Sequence, residues 1–205
     1  MTASRGVILD RDGTLIDVVR DEETGAIVTA FHPSQVRIFD GVVEGLVALR
    51  DAGFKLAIAT NQPGPAKGQY SRDAVGKTNA ELVAQLASQG VVIDHVATCM
   101  HHPDGGPGGD ATLVGPCACR KPKPGLLIEC IQELSLDAAS SWMIGDTRSD
   151  VEAGIAAGVK TALLFDTKRC ELCPLRAGAG SVQPTPHVHG ARFAEIVQKI
   201  LAAPH

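Results

Sequence analysis

The sequence predicts an α/β fold, a parallel sheet with helices on both faces. Three observations carry this reading. Short apolar runs bounded by turn residues, "GVILD", "KLAIAT", "DHVAT", "SWMIGD" and "TALLF", recur along the chain and read as strands. Segments with apolar residues at helical spacing lie between them, which is the order of an α/β chain. Crossovers that return to a parallel sheet are right-handed, so the loops that follow the strands gather along one edge. With 205 residues the chain is long enough for one sizeable core and short for two, so a single domain over 1–205 is expected.

The first strand covers 6–10. Residues 17–35, "DVVRDEETGAIVTAFHPSQ", exceed the usual connector of about 2–6 residues and read as a substrate loop. They are too few for a cap domain, so the edge should be open. "DGVVEGLVALRDAG" (40–53) carries Val43, Leu46, Val47 and Leu49 at helical spacing, with Asp40 as N-cap and Gly53 as the stop. A strand at 55–60, a helix at 71–89 and a strand at 94–98 follow, and then a second long loop, 101–118, "HHPDGGPGGDATLVGPCA". Next come a helix at 124–135, a strand at 141–146, a helix at 149–157 and a strand at 161–165. The remaining segment, 166–205, is variable in character: "AGAGSVQPTPHVHG" (177–190) reads as a mobile connection and "HGARFAEIVQKILAA" (189–203) as a closing amphipathic helix. Cys130, Trp142 and Phe165 read as core.

Composition restricts the function classes. With 44% hydrophobic and only 3% aromatic residues, Val, Ile, Leu and Ala must fill the interior. A net charge of −4 offers no basic face for nucleic acid or an anionic membrane, so neither is expected as a partner. A phosphorylated substrate would need local cations. "MTASRGVILD" lacks the pattern of a secretory signal and no run is long enough to span a bilayer, so the cytoplasm is the expected compartment. There the six cysteines, Cys99, Cys117, Cys119, Cys130, Cys170 and Cys173, read as metal ligands or buried thiols.

"VILDRDGTLID" sets Asp10 and Asp12 where a strand stops. A bare D-x-D is most often a solvated turn or a calcium loop. Here Thr60 and Asn61 follow "KLAIA", Lys121 sits in "CRKPKPG" and Asp146 follows "WMIG", all at the same edge. An aspartate there can attack an electrophile whose charge has been neutralised, and a second carboxylate can handle the proton. "DRDGTL", "ATNQ", "RKPKPG" and "IGDTRSD", in that order over residues 7–150, resemble the four motifs of the haloacid dehalogenase (HAD) superfamily of phosphotransferases. The resemblance implies a Rossmann-like sheet of order 5-4-1-2-3 with the first and fourth motif strands adjacent at the switch point. It further implies Asp10 as the nucleophile that forms an aspartyl-phosphate, and Asp12 as the acid and then the base. Magnesium would bind Asp10, the Asp12 main-chain carbonyl and Asp146, bridging two anions that otherwise repel. Thr60 would donate to the phosphoryl oxygens and Lys121 would add positive charge. Asp150, one turn beyond Asp146, either orients Lys121 or a metal-bound water, or caps the helix near Ser149.

Cys99-Met-His101 and Cys117-Ala-Cys119 form two ligand pairs, three thiolates and one imidazole, directly before Arg120 and Lys121. Reduced buried thiols beside a surface histidine are the alternative. In this frame the set resembles a subgroup containing heptose 1,7-bisphosphate phosphatases and histidinol-phosphate phosphatases, which implies a structural zinc that closes loop 99–119 and aims Arg120 and Lys121 at substrate. His102 is a substitute ligand or a surface residue. "CMHHPDGG", the long interval before "CAC", and "TNQPGPAKG" resemble the heptose enzymes more. The interval from His101 to Cys117 is longer than in that pattern, Thr147 and Arg148 stand where a lysine is expected after Asp146, and segment 17–35 differs.

The implied activity is magnesium-dependent hydrolysis of a phosphomonoester, with D-glycero-D-manno-heptose 1,7-bisphosphate cut at C7 as the substrate and histidinol phosphate as the runner-up. Asn61, Gln62, Arg120 and Lys67 are the expected substrate-binding residues, Arg120 for the phosphate that does not react. A non-catalytic zinc-stabilised interaction module is the reading from another class, and the intact Asp10, Asp12, Thr60, Lys121 and Asp146 argue against it. Cys170 and Cys173 read as spare thiols, with a redox pair or half a second metal site as alternatives. No motif encodes the oligomeric state, and a monomer is compatible with all of this.

Overall fold

A computed structural model describes residues 4–20, 27–165 and 184–203. Its strands are β1 (Gly6–Leu9), β2 (Val19–Arg20), β3 (Ile27–Val28), β4 (Lys55–Asn61), β5 (His95–Cys99), β6 (Trp142–Gly145), β7 (Lys160–Leu164) and β8 (Val188–Gly190). Its helices are α1 (Val42–Asp51), α2 (Gly64–Lys67), α3 (Arg72–Ser88), α4 (Gly125–Glu133), α5 (Arg148–Ala156) and α6 (Phe193–Ala202). Six strands form one sheet in the order β5-β4-β1-β6-β7-β8, every pair parallel. Its first five strands have the expected order, with β1 and β6 side by side, and β8 extends the sheet by one. β2 and β3 make a separate antiparallel pair in the segment between β1 and α1.

Strand alternation divides the core between the two faces. Val7 and Leu9 of β1, Leu56 and Ile58 of β4, and Trp142 and Ile144 of β6 point to one face, against α1, α3 and α6 through Leu46, Leu82, Phe193 and Ile196. Ile8, Ala57, Ala59, Ala97 and Met143 point to the other, where Leu126, Leu127 and Cys130 of α4 and Ala153 of α5 cover them. Both faces of the central strands are therefore buried, which explains why the first strand reads as the unbroken apolar run Val7-Ile8-Leu9. Truncating a side chain such as Leu9 to alanine should cost about 2–5 kcal/mol, since its neighbours on the sheet cannot collapse into the gap.

Two expectations need correction. Asp40 does not cap α1: Gly41 holds the N-cap position with φ of 80° and no side-chain cap, and Val42 N–H donates to Phe39 O at 3.2 Å. A turn at 39–42 thus delivers the chain to the helix. The closing helix begins at Phe193, because 188–190 pair with the outer edge of β7, Ala162 opposite Val188 and Leu164 opposite Gly190. Pairing an open edge wins over continuing a helix through Gly190. Cys130 and Trp142 are core, and Phe165 packs against Val151 and Leu163. Cys170 and Cys173 lie outside the described residues, as do all of 21–26 and 166–183.

Candidate active site

Register brings the reactive side chains together. Leu9 pairs with Ile58 of β4 and with Ile144 of β6, and Asp10 N–H continues the ladder by donating to Ile144 O at 2.9 Å. Asp10, Thr60 and Asp146 therefore leave three adjacent strands at one edge. Lys121 arrives from the loop ahead of α4 and is docked through its main chain: Asn61 Nδ2 donates to Lys121 O at 3.0 Å, and Lys121 N–H donates to Asn61 Oδ1 at 3.1 Å. Its ammonium is buried, 2.6 Å from Asp10 Oδ1, 2.6 Å from Asp150 Oδ1 and 2.7 Å from Ala59 O. Three donors thus meet three acceptors.

Asp150 makes the contacts of two of the roles weighed for it, to Lys121 and to the start of the helix. While Oδ1 faces Lys121, Oδ2 accepts from Thr147 N–H at 3.0 Å and from Thr147 Oγ1 at 2.6 Å, closing the first turn of α5. Asp10, Asp146 and Asp150 converge, with ligand oxygens within 4.8 Å of one another. Burial, and secondarily the neighbouring carboxylates, push Asp10 up to about 7 against the opposing pull of Lys121. Burial followed by Asp10 and Asp150 raises Asp146 well above the carboxylate range. Burial works against the charge on Lys121, but Asp10 and Asp150 outweigh it and raise its pKa.

This charge arrangement fits a divalent cation. Three carboxylates face one ammonium, and Asp146 Oδ1 is buried with no hydrogen-bond partner, an orphan that a hard cation would satisfy. Gly13 makes the approach possible: its φ is +85°, and a Cβ there would lie 2.3 Å from Asp146 Oδ2.

Asp12 sits in a separate cradle. Its Oδ2 accepts from Arg11 Nε at 3.0 Å and Gln62 Nε2 at 2.7 Å, and its Oδ1 from Arg11 Nη2 at 3.2 Å and Ala30 N–H at 3.2 Å. Gln62 Nε2 also donates to Thr60 Oγ1 at 2.8 Å, which leaves the Thr60 hydroxyl proton free to donate elsewhere. The side chains of Asn61 and Gln62, expected to touch substrate, are engaged by Lys121 and Asp12. Arg11, Asn79 and Tyr70 were not read from the sequence. The one available signal was an arginine set between Asp10 and Asp12 just past the end of β1.

The cysteine pairs also converge. Cys99 Sγ lies 3.8 Å from Cys117 Sγ, 3.7 Å from His101 Nδ1 and 2.8 Å from Cys119 Sγ, and Cys119 Sγ lies 3.4 Å from His101 Nδ1. All three thiols are free. Tetrahedral zinc with bonds of about 2.3 Å to sulfur would set sulfurs about 3.8 Å apart, so the set fits that ion with a small opening of the Cys99–Cys119 pair. Burial, then the neighbouring sulfurs, push the Cys99 thiol far up, a strain that a cation would relieve. His102 is outside the set: its N–H and C=O bond Leu113 O and Gly115 N–H at 3.0 Å each.

The glycine-rich part of the loop packs backbone on backbone against α2. A Cβ on Gly109 would meet Ala66 O at 2.0 Å and one on Gly106 would meet Lys67 O at 2.5 Å. The loop so holds the end of α2 that carries Lys67. Burial, then the charges of Lys67 and Arg120, hold the His102 imidazole below its ordinary range. Arg120 Nη1 donates to His101 O at 3.3 Å, which ties it to the cysteine cluster.

Among the described residues, no helix is long and apolar enough to cross a membrane. The HAD-hydrolase-like family model matches residues 118–170. The chain is 34% identical over 161 residues to D-glycero-beta-D-manno-heptose-1,7-bisphosphate 7-phosphatase of Yersinia pestis, covering 78% of this chain and 80% of the relative. It is 36% identical over 163 residues to the protein of the same name from Pasteurella multocida, covering 80% and 82%. In structure it is similar to D,D-heptose 1,7-bisphosphate phosphatase of B. bronchiseptica complexed with magnesium and phosphate, with a TM-score of 0.74, 25% identity, and coverage of 96% and 98%.

Proposed function

Since the chain belongs to the HAD-like phosphatases, we propose that it removes the C7 phosphate of a D-glycero-D-manno-heptose 1,7-bisphosphate through an aspartyl-phosphate on Asp10. The observation that carries this reading is Asp10 held 2.6 Å from the buried Lys121 ammonium and beside Asp146, in a chain similar over about four fifths of its length to enzymes of that name. Residues 1–205 act in this reading as one cytoplasmic catalytic unit on a small sugar phosphate, with a structural zinc on Cys99, His101, Cys117 and Cys119.

An Asp10 carboxylate oxygen attacks phosphorus, and the bond from phosphorus to the leaving oxygen breaks. The alcohol takes its proton from the Asp12 carboxyl group. Water then attacks the phosphoryl group, gives its proton to the Asp12 carboxylate and releases Asp10 with inorganic phosphate. Lys121 and the Thr60 hydroxyl balance charge on the transferring group. Asp10, Asp146 and the Asp12 main-chain carbonyl would hold magnesium, which when bound would supply the charge neutralisation that two approaching anions need. Arg120 and Lys67 take the phosphate that does not react.

Phosphate release by purified protein with magnesium, from both anomers of the bisphosphate and from histidinol phosphate, tests the proposal. The expected result is a higher kcat/KM on a heptose bisphosphate. A higher kcat/KM on histidinol phosphate would overturn the substrate, and no release from any of them would overturn the activity.

A further inference from the structure

Arg11 takes no part in the reaction as written, yet its side chain is completely buried. Its side-chain polar contacts are with Asp12, with Ala30, which also bonds Asp12, and with Asn79. Nε and Nη2 straddle the two Asp12 oxygens at 3.0 and 3.2 Å, Nη1 donates to Asn79 Oδ1 at 2.7 Å, and Nη2 donates to Ala30 O at 2.7 Å. Asn79 is itself anchored, donating through Nδ2 to Thr98 Oγ1 on β5 at 3.1 Å. Ala30 closes a loop of contacts, since its N–H donates to Asp12 and its C=O accepts from Arg11. Its neighbours Thr29 and Phe31 are fastened to Tyr70, by a hydroxyl contact of 3.0 Å and by ring stacking at 5.2 Å.

We propose that Arg11 is a positioning residue for proton transfer: its planar fork, braced by Asn79, fixes the Asp12 carboxyl group against segment 29–31. The proposal rests on the reading of Asp12 as acid and base. An arginine does not give up its proton at any working pH, so Arg11 orients and does not relay. Arg11, Gln62 and Ala30 supply four N–H contacts to one carboxylate, so carrying a proton requires Asp12 to release a donor. The two-point fork keeps the group aligned while one contact opens. A lysine would restore the charge without the alignment.

The test compares wild type, Arg11→Lys and Asn79→Ala on the heptose bisphosphate and on 4-nitrophenyl phosphate, with magnesium. An alkyl leaving group needs the Asp12 proton, whereas nitrophenolate leaves without it. Expected for both variants is a fall in kcat on the bisphosphate of about 10-fold or more with little change in KM. On the aryl phosphate the rapid burst of nitrophenolate should persist, followed by a slowed steady state, because breakdown of the phosphoenzyme still needs Asp12 as base. Equal losses in burst and steady state, or unchanged kcat on the bisphosphate, would overturn the role of Arg11 and leave the phosphatase reading standing. Should Arg11→Lys fail to fold, Asn79→Ala decides alone, since Asn79 is only half-buried. A wild-type protein inactive on both substrates would remove the function and this proposal together.

Discussion

Asp150 joins Lys121 to α5: one carboxylate oxygen lies 2.6 Å from the Lys121 ammonium, and the other closes the first turn of the helix at Thr147. Asp150→Asn preserves the size of the side chain but removes the charge, so Lys121 loses one of its two anionic supports. Turnover should fall by about 10–100-fold, the usual effect of losing a group that orients a catalytic one. Asp150→Ala loses the cap as well and should melt lower, by about 1 kcal/mol more. Paired measurements of kcat and thermal unfolding separate the two effects.

Asp10→Asn should abolish turnover and leave the melting temperature unchanged or raised. An amide cannot accept the phosphoryl group, and it removes one of three mutually repelling carboxylates at the cluster. Phosphate release and thermal denaturation of the variant check both halves. Near-normal activity would exclude a covalent step at Asp10.

The individual strands were legible in the sequence as unbroken apolar runs, now seen buried on both faces, and the Cys99, His101, Cys117 and Cys119 set was legible from ligand spacing, whereas the strand order and the convergence of Asp10 with Asp146 followed from the resemblance of four motifs to the HAD superfamily. Features set by distant partners were not legible. Arg11 meets Asn79 across 68 positions of chain, and nothing near either residue announces the pairing. Asn61 and Gln62 stand in the "ATNQ" motif and read as substrate ligands, and the pattern held no sign that their amide groups also bond the buried Lys121 peptide and the Asp12 carboxylate. β8 is three residues with a single large apolar side chain, too little pattern to stand out from the helix that follows.

Gly13→Ala should weaken magnesium binding by about 10-fold or more while leaving the sheet intact. The left-handed φ of +85° disfavours any other residue, and the new methyl group would fall 2.3 Å from Asp146 Oδ2 and force the carboxylate aside. Titration of activity and of heat with magnesium, alongside circular dichroism, checks this outcome. Unchanged affinity would mean that Asp146 does not ligate the cation.

Stability of the metal-free protein should fall as pH rises from about 4 to 7. Asp10 has a folded value raised to about 7 from an ordinary 3.8, so the folded state binds more protons than the unfolded chain across that window. Asp146 is raised as well and adds in the same direction. Magnesium replaces those protons, so its stabilising effect should grow with pH. Melting curves at pH 5 and pH 8, with and without magnesium, should differ more at pH 8, and an equal shift at both would contradict the assignment of these carboxylates as ligands.

Purified protein should carry about one tightly held zinc per chain, and Cys117→Ser should lose both zinc and stability. The expected loss follows from position: the cluster holds the segment that carries Arg120, and Lys123 Nζ donates to Cys117 O at 2.6 Å on its other side. Cys170→Ser is the control. Elemental analysis free of zinc in protein prepared without chelator, or equal losses in the two variants, would move the ligands elsewhere.

Arg120→Ala should separate a bisphosphate from a simple monophosphate. Arg120 adjoins Lys121 in sequence and is tied to His101 through a 3.3 Å hydrogen bond, and the glycine-rich loop that follows His102 packs against the end of α2 that carries Lys67. In the proposed reaction the buried Lys121 ammonium faces the phosphate bound at Asp10, and Arg120 and Lys67 are the cations proposed for the other phosphate. A guanidinium can hold two phosphate oxygens at once, and its loss removes binding energy available only to a ligand long enough to reach it. The variant should lose about 10-fold or more in kcat/KM on the heptose bisphosphate and little on 4-nitrophenyl phosphate. Lys67→Ala should act in the same direction with a smaller effect, because an ammonium binds as a point charge without the paired geometry. Parallel losses on both substrates would assign Arg120 to the reacting phosphate instead.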